Sequence, residues 1–122
     1  MQRPNNLLDR TKKFALSTVR FCEALPKDET SRVLGRQLLR SGTSVGANYR
    51  AANRAKSKAD FISKMGIVLE EADESIYWIE LLSDAGKVNS SMSLPLQQEA
   101  NELVAIAVSS INTARRNRDF QE

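Results

Sequence analysis

The sequence predicts an all-α protein, an antiparallel up-down four-helix bundle in a single domain. Three observations carry this prediction. Apolar residues recur at spacings of three and four through most of the chain, the period of a helix with one buried face. Hydrophobic residues make up 41% and aromatics only 6%, which suits helices rich in Ala, Leu, Ile and Val better than a sheet. The few breakers, 5 Gly and 3 Pro in 122 residues, either mark boundaries or lie inside an unbroken helical rhythm. A chain of this length can bury one real core.

The first helix is expected over 7–25, with Leu7, Leu8, Thr11, Phe14, Ala15, Thr18, Phe21, Cys22 and Leu25 on its inner side and Asn6 as its cap. The acidic, Pro-containing segment 25–31 reads as a turn and a new helix start. Helix two is expected over 29–55. Its series Leu34, Leu38, Ser41, Val45, Asn48, Ala52, Ala55 alternates steps of four and three and passes through Gly42 and Gly46 without losing phase. Ser57 and Asp60 match the capping-box pattern for helix three, 58–85. That helix carries Phe61, Met65, Val68, Ala72, Ser75, Ile79 and Leu82 inward. Gly86 suits a left-handed C-terminal cap. Helix four is expected over 94–117, opening at Pro95, with Leu96, Ala100, Leu103, Val104, Ala107, Val108, Ile111 and Ala114 inward. The tail 118–122 is expected to fray.

Helix two has two further faces. At about 100° per residue, Arg32, Arg36, Arg40, Arg50 and Arg54 form one stripe opposite the apolar seam. Gly35, Gly42 and Gly46 share a third strip with Leu39, Tyr49 and Asn53. A mid-helix glycine costs about 1 kcal/mol relative to alanine, so this strip predicts close approach of another helix, within the bundle or from another subunit. Helix three has the opposite sign: Glu70, Asp73, Glu74, Glu80 and Asp84 cluster opposite its seam. Glu71 and Trp78 flank that seam, so Glu71 is expected to be partly buried and paired with an arginine of helix two. Asn48, in a buried series, needs a hydrogen-bond partner.

The net charge of +3 and pI near 9.2 lean mildly toward anionic partners. With no histidine, Ser-His-Asp and Cys-His catalysis and His-dependent zinc sites are excluded. No phosphate-loop or dinucleotide motif occurs. The expectation is a non-enzyme without metal or cofactor. No long apolar run or signal-peptide pattern is present, so a cytoplasmic protein off the membrane is expected. The lone Cys22 reads as core packing.

Residues 41–82, SGTSVGANYRAANRAKSKADFISKMGIVLEEADESIYWIELL, resemble the family of four-helix-bundle proteins encoded in intervening sequences of 23S ribosomal RNA genes. The likeness rests on the small-residue block Ser41 to Asn48, the S-x-x-D-F start of helix three, and the Glu-rich, Trp-containing centre. Where the family often has Glu-Gly after the Asn, this chain has Arg50-Ala51. The resemblance implies a homopentamer. A related branch, accessory proteins of diversity-generating retroelements, implies nucleic acid and a reverse transcriptase as partners. It implies no active site.

Two functions follow as expectations. In the first, Arg32, Arg36, Arg40, Arg50 and Arg54 bind RNA or DNA, helped by Lys56, Lys58 and the tail Arg115, Arg116, Arg118. In the second, the opposite stripes serve self-assembly or a protein partner, with Gly35, Gly42, Gly46 and Tyr49 as packing residues.

Overall fold

The computed structural model describes residues 6–117. It holds four helices and, among the described residues, no strand: α1 (Asn6–Glu23), α2 (Glu29–Asn53), α3 (Lys58–Asp84) and α4 (Ser90–Arg116). Each helix packs on the next in sequence, and α1 touches α4 more lightly. Among the described residues the backbones of α1 and α3, and of α2 and α4, do not approach each other as closely as those of neighbouring helices. Phe14, Leu38, Val45, Met65, Ile79, Leu82 and Leu103 are almost wholly buried in the one core, each stabilising it by about 1.5–3 kcal/mol.

The boundaries have local causes. α1 stops at Glu23 because the amides of Ala24 and Leu25 turn back to Phe21 and Cys22 and Pro26 disfavours a helical residue before it. Asn6 lies inside the helix and does not cap it. α2 opens on Asp28, whose carboxylate accepts from the Ser31 amide at 2.8 Å. It ends at Asn53, two residues short of Ala55, since Arg54 and Ala55 close tighter turns onto Ala51 and Ala52. Ser57 caps α3 and accepts from the Asp60 amide at 3.0 Å, while the Asp60 carboxylate pairs with Lys64 at 2.8 Å. At the far end Gly86 has φ 75°. Its amide reaches Ser83 O and that of Lys87 reaches Leu82 O, both at 3.0 Å, which together make a Schellman ending.

The last helix departs most from expectation. Asn89 caps it by accepting from the Met92 amide at 3.1 Å, so α4 begins at Ser90 and the preceding loop is shorter. Pro95 then falls in the second turn, where it has no amide to donate to Ser91 O; Ser91 itself is exposed. Val108 is 41% exposed, a correction to its place on the inner face. Arg118 and the tail 118–122 lie outside the described residues.

The glycine strip of α2 faces α1 of the same chain. A Cβ on Gly35 would stand 2.8 Å from Leu25 Cδ1, on Gly42 2.7 Å from Thr18 Cγ2, and on Gly46 3.3 Å from Thr11 O. Residue numbers rise on α2 as they fall on α1, so the two run in opposite senses. Thr11 and Thr18 are buried and donate their hydroxyls to Leu7 O and Phe14 O of their own helix, each at 2.8 Å. The strip is therefore part of the buried face of α2, together with Tyr49, and is not open to a neighbouring subunit. α1 is also tied to α4, where Arg10 donates to both oxygens of Glu99 at 2.7 and 2.9 Å and to Glu102. Those carboxylates, Glu99 first, raise the affinity of Arg10 for its proton.

Gly42 and Gly66 make a paired test. A Cβ on Gly66 would meet nothing within 4 Å, so Gly66→Ala should stabilise by about 0.5–1 kcal/mol. Gly42→Ala should instead destabilise by about 1–3 kcal/mol, because β-branched Thr18 cannot swing aside. Urea denaturation of both variants checks this; equal stabilisation by the two would overturn the close-packing account.

Candidate nucleic-acid interface

The arginine stripe of α2 divides into paired and unpaired members. Arg32 is held by Glu29 one turn earlier. Arg40 crosses to α3, where Glu71 accepts at 3.2 Å and Glu74 also pairs with it. Glu71 is partly buried. Glu74 additionally accepts from Trp78 Nε1 at 3.0 Å, and Trp78 lies edge-on to Tyr77 with ring centroids 5.0 Å apart. Beneath this surface tie, Ser41 and Ser75 meet in the core with their hydroxyl oxygens 2.8 Å apart. Ser75 donates onward to Glu71 O at 2.9 Å, so with Ser41 donating to Ser75 both hydroxyls are satisfied. Asn48, expected in the buried series, is only half-buried and donates to Ser44 O of its own helix at 2.9 Å. It bridges nothing between helices, which corrects its assignment as a buried polar residue.

Arg36, Arg50 and Arg54 are exposed and make no ion pair among the described residues. Arg50 and Arg54 line a groove between α1 and α2 with Lys12, a residue the sequence reading did not single out. No spacing within α2 points to Lys12; only the antiparallel match of Thr11 to Gly46 brings it there. Leu8, Ala15, Gly46 and Ala47 supply the apolar part of the groove, and Asn53 adds an amide near Tyr49. The α2–α3 turn adds exposed Lys56. Arg115 and Arg116 end α4 beside it, where Lys58 Nζ donates to Asn117 O at 3.5 Å. Most of the unpaired cations thus gather at one end of the bundle, while Arg36, with Arg20 and Lys27, is unpaired among the described residues at the other.

Among the described residues no group of three or more His, Cys, Asp or Glu is placed to hold a metal, and no helix is long and apolar enough to cross a membrane. Cys22 is half-buried with its thiol 3.4 Å from Gly35 O. Burial, and then the charge of Glu23, push that thiol up to about 11.

The model of the 23S rRNA-intervening sequence proteins matches residues 3–109. The chain belongs to that family. A solved structure from Bacteroides thetaiotaomicron, described as a protein of unknown function of the S23 ribosomal protein family, is 37% identical with a TM-score of 0.81. The match covers 87% of this chain and 98% of that one. No protein with a curated description matches. In this intervening-sequence protein, the block Ser41 to Asn48 is packing machinery: Ser41 faces α3, Gly42 and Gly46 face α1, and Val45 fills the core. Arg50-Ala51, which stand where Glu-Gly is common, put a cation into the groove.

The serine pair gives an ordered expectation. Ser75→Ala should cost about 1 kcal/mol or more, since Ser41 then falls back on Leu38 O at a strained 3.3 Å. Ser41→Ala should cost less, because Ser75 keeps Glu71 O. A double-mutant cycle by chemical denaturation checks the order, and independence of the two sites would refute the link. For Cys22, thiolate is scarcer at pH 8 by about 100-fold than in an ordinary thiol. Iodoacetamide should accordingly modify the folded protein far more slowly than the protein in urea.

Proposed function

We propose that this protein binds RNA or DNA through phosphate contacts at the basic end of the bundle. The observation that supports it is the division of the cations. Arg32 and Arg40 are neutralised by Glu29, Glu71 and Glu74, whereas Lys12, Arg50, Arg54, Lys56, Arg115 and Arg116 are not paired with any carboxylate among the described residues. Cations left unpaired in water bind phosphate with release of counterions, which makes affinity fall with salt. The working site is narrower than the stripe over 32–54 and reaches onto α1 and α4. It carries no reaction, and the cytoplasm, where RNA is abundant, is its proposed place.

Self-assembly is the second part of this reading. α3 presents Glu70, Asp73, Glu80 and Asp84 around Tyr77, which is 56% exposed. α2 presents unpaired Arg36 beside exposed Leu39. Faces of opposite sign on one chain suit a head-to-tail ring, and the family likeness implies a pentamer of up-down bundles. A ring repeats the basic end in each subunit and adds avidity.

Arg50→Glu with Arg54→Glu should remove binding of labelled RNA at about 50 mM salt, while Arg32→Gln should leave it within about twofold. Arg36→Glu should lower the sedimentation coefficient if that face meets an acidic neighbour. Undiminished binding by the Arg50/Arg54 variant would end the nucleic-acid reading, and a monomeric wild type would end the ring.

A further inference from the structure

We infer that the α1–α2 groove takes one nucleotide of a single strand, with its base against Leu8, Ala15 and Ala47 and its flanking phosphates on Lys12, Arg50 and Arg54. The inference rests on the nucleic-acid reading above and names the form of nucleic acid. Its ground is the shape and chemistry of the groove. Leu8, Ala15, Gly46 and Ala47 of two helices give the groove an apolar surface between the hydroxyl-bearing Thr11 and Thr43, on which a flat ring of base size can lie. Three cations without carboxylate partners line it, with Arg50 in the last turn of α2 and Arg54 at the residue that caps it, about one turn on. Asn53 offers an amide that both donates and accepts, the pairing needed at a base edge.

A duplex does not fit this arrangement. Packed helices have axes about 8–10 Å apart, whereas a duplex is so broad that its major groove alone, about 12 Å wide, admits a whole helix. A duplex can rest on the rim cations but cannot enter between α1 and α2. Only an unpaired base, splayed from its neighbours, reaches the apolar surface. No aromatic side chain lines the groove, so the base is held by apolar contact and charge, and sequence preference should be slight.

Anisotropy of labelled decanucleotide single strands and of the matching duplex tests this, using the wild type, Ala47→Leu and Ala105→Leu. Ala47 is exposed on the groove wall and Ala105 is exposed on α4, so both variants keep the charges and add equal bulk without adding an aromatic face on which a base could stack. Single strands should bind the wild type more tightly than the duplex, and Ala47→Leu should weaken them by about tenfold while leaving the duplex and the Ala105→Leu protein unchanged. Circular dichroism verifies that both variants remain helical. Equal binding of both forms, undisturbed by Ala47→Leu, would overturn the groove assignment alone. Absence of binding to every probe would overturn the nucleic-acid reading and this inference together.

Discussion

The close approach of α2 to α1 is the constraint on which the rest of the bundle depends. Where a Cβ on Gly42 would lie 2.7 Å from Thr18, no residue with a side chain fits without displacement. Three glycines inside a helix cost about 1 kcal/mol each in propensity, and the contact they permit must offset that. The long cationic side chains of α2 lie exposed, away from this close contact. Because Gly46 and Ala47 continue the small-residue surface toward the rim, the seam opens there into a groove whose walls are apolar and whose edges are basic. The packing solution on one side of the helix thereby shapes the surface on the other.

The opposite seam of α2 is settled differently. Against α3 the helix presents Ser41, and the hydroxyl pair with Ser75 is buried completely. A buried hydroxyl that loses its best partner is costly, so sliding α2 along α3 by one turn would leave Ser41 only its long bond to Leu38 O, while Ser75 keeps Glu71 O. Arg40 lies next in sequence to Ser41 and spans the same two helices above it. At half exposure such pairs contribute little to stability. Their larger effect is to withdraw one arginine from the surface field. Register and surface charge are coupled here through two adjacent residues.

Most of the fold was legible in the sequence because helical period, caps and turn residues act locally. Ser57, Gly86 and the four-three rhythm through Gly42 and Gly46 each carry their meaning within a few neighbours. Misplacements occurred where two local signals competed. Pro95 looked like a first-turn residue, yet Asn89 caps the helix further back. Asn48 sat in phase with the core, but the buried arc of α2 is centred nearer the glycines, which leaves Asn48 at its margin. The site was less legible for a different reason. A stripe of arginines is visible on a helical wheel, but whether each is free depends on acids from other helices. Glu71 and Glu74 neutralise Arg40, and Lys12 joins Arg50 only through the pairing of α1 with α2.

The basic end also has a simpler electrostatic reading, in which its cations serve the helix termini. Arg50, Arg115 and Arg116 fall in last turns, where a positive side chain is favourable. That reading is incomplete. The same end of the bundle holds the C-termini of α2 and α4 and the N-termini of α1 and α3, as the Thr11–Gly46 and Lys58–Asn117 contacts require. Each terminus carries a partial charge of about half a unit, negative at a C-terminus and positive at an N-terminus, so the four largely cancel. The nearby acids are also occupied, Asp9 by Lys13 and Asp60 by Lys64. Neither dipoles nor carboxylates therefore balance Lys12, Arg50, Arg54, Lys56, Arg115 and Arg116. A positive field that the protein does not neutralise itself is the electrostatic ground of the proposed binding, since a polyanion whose charges are spaced along a chain suits cations spread over three helices and a turn.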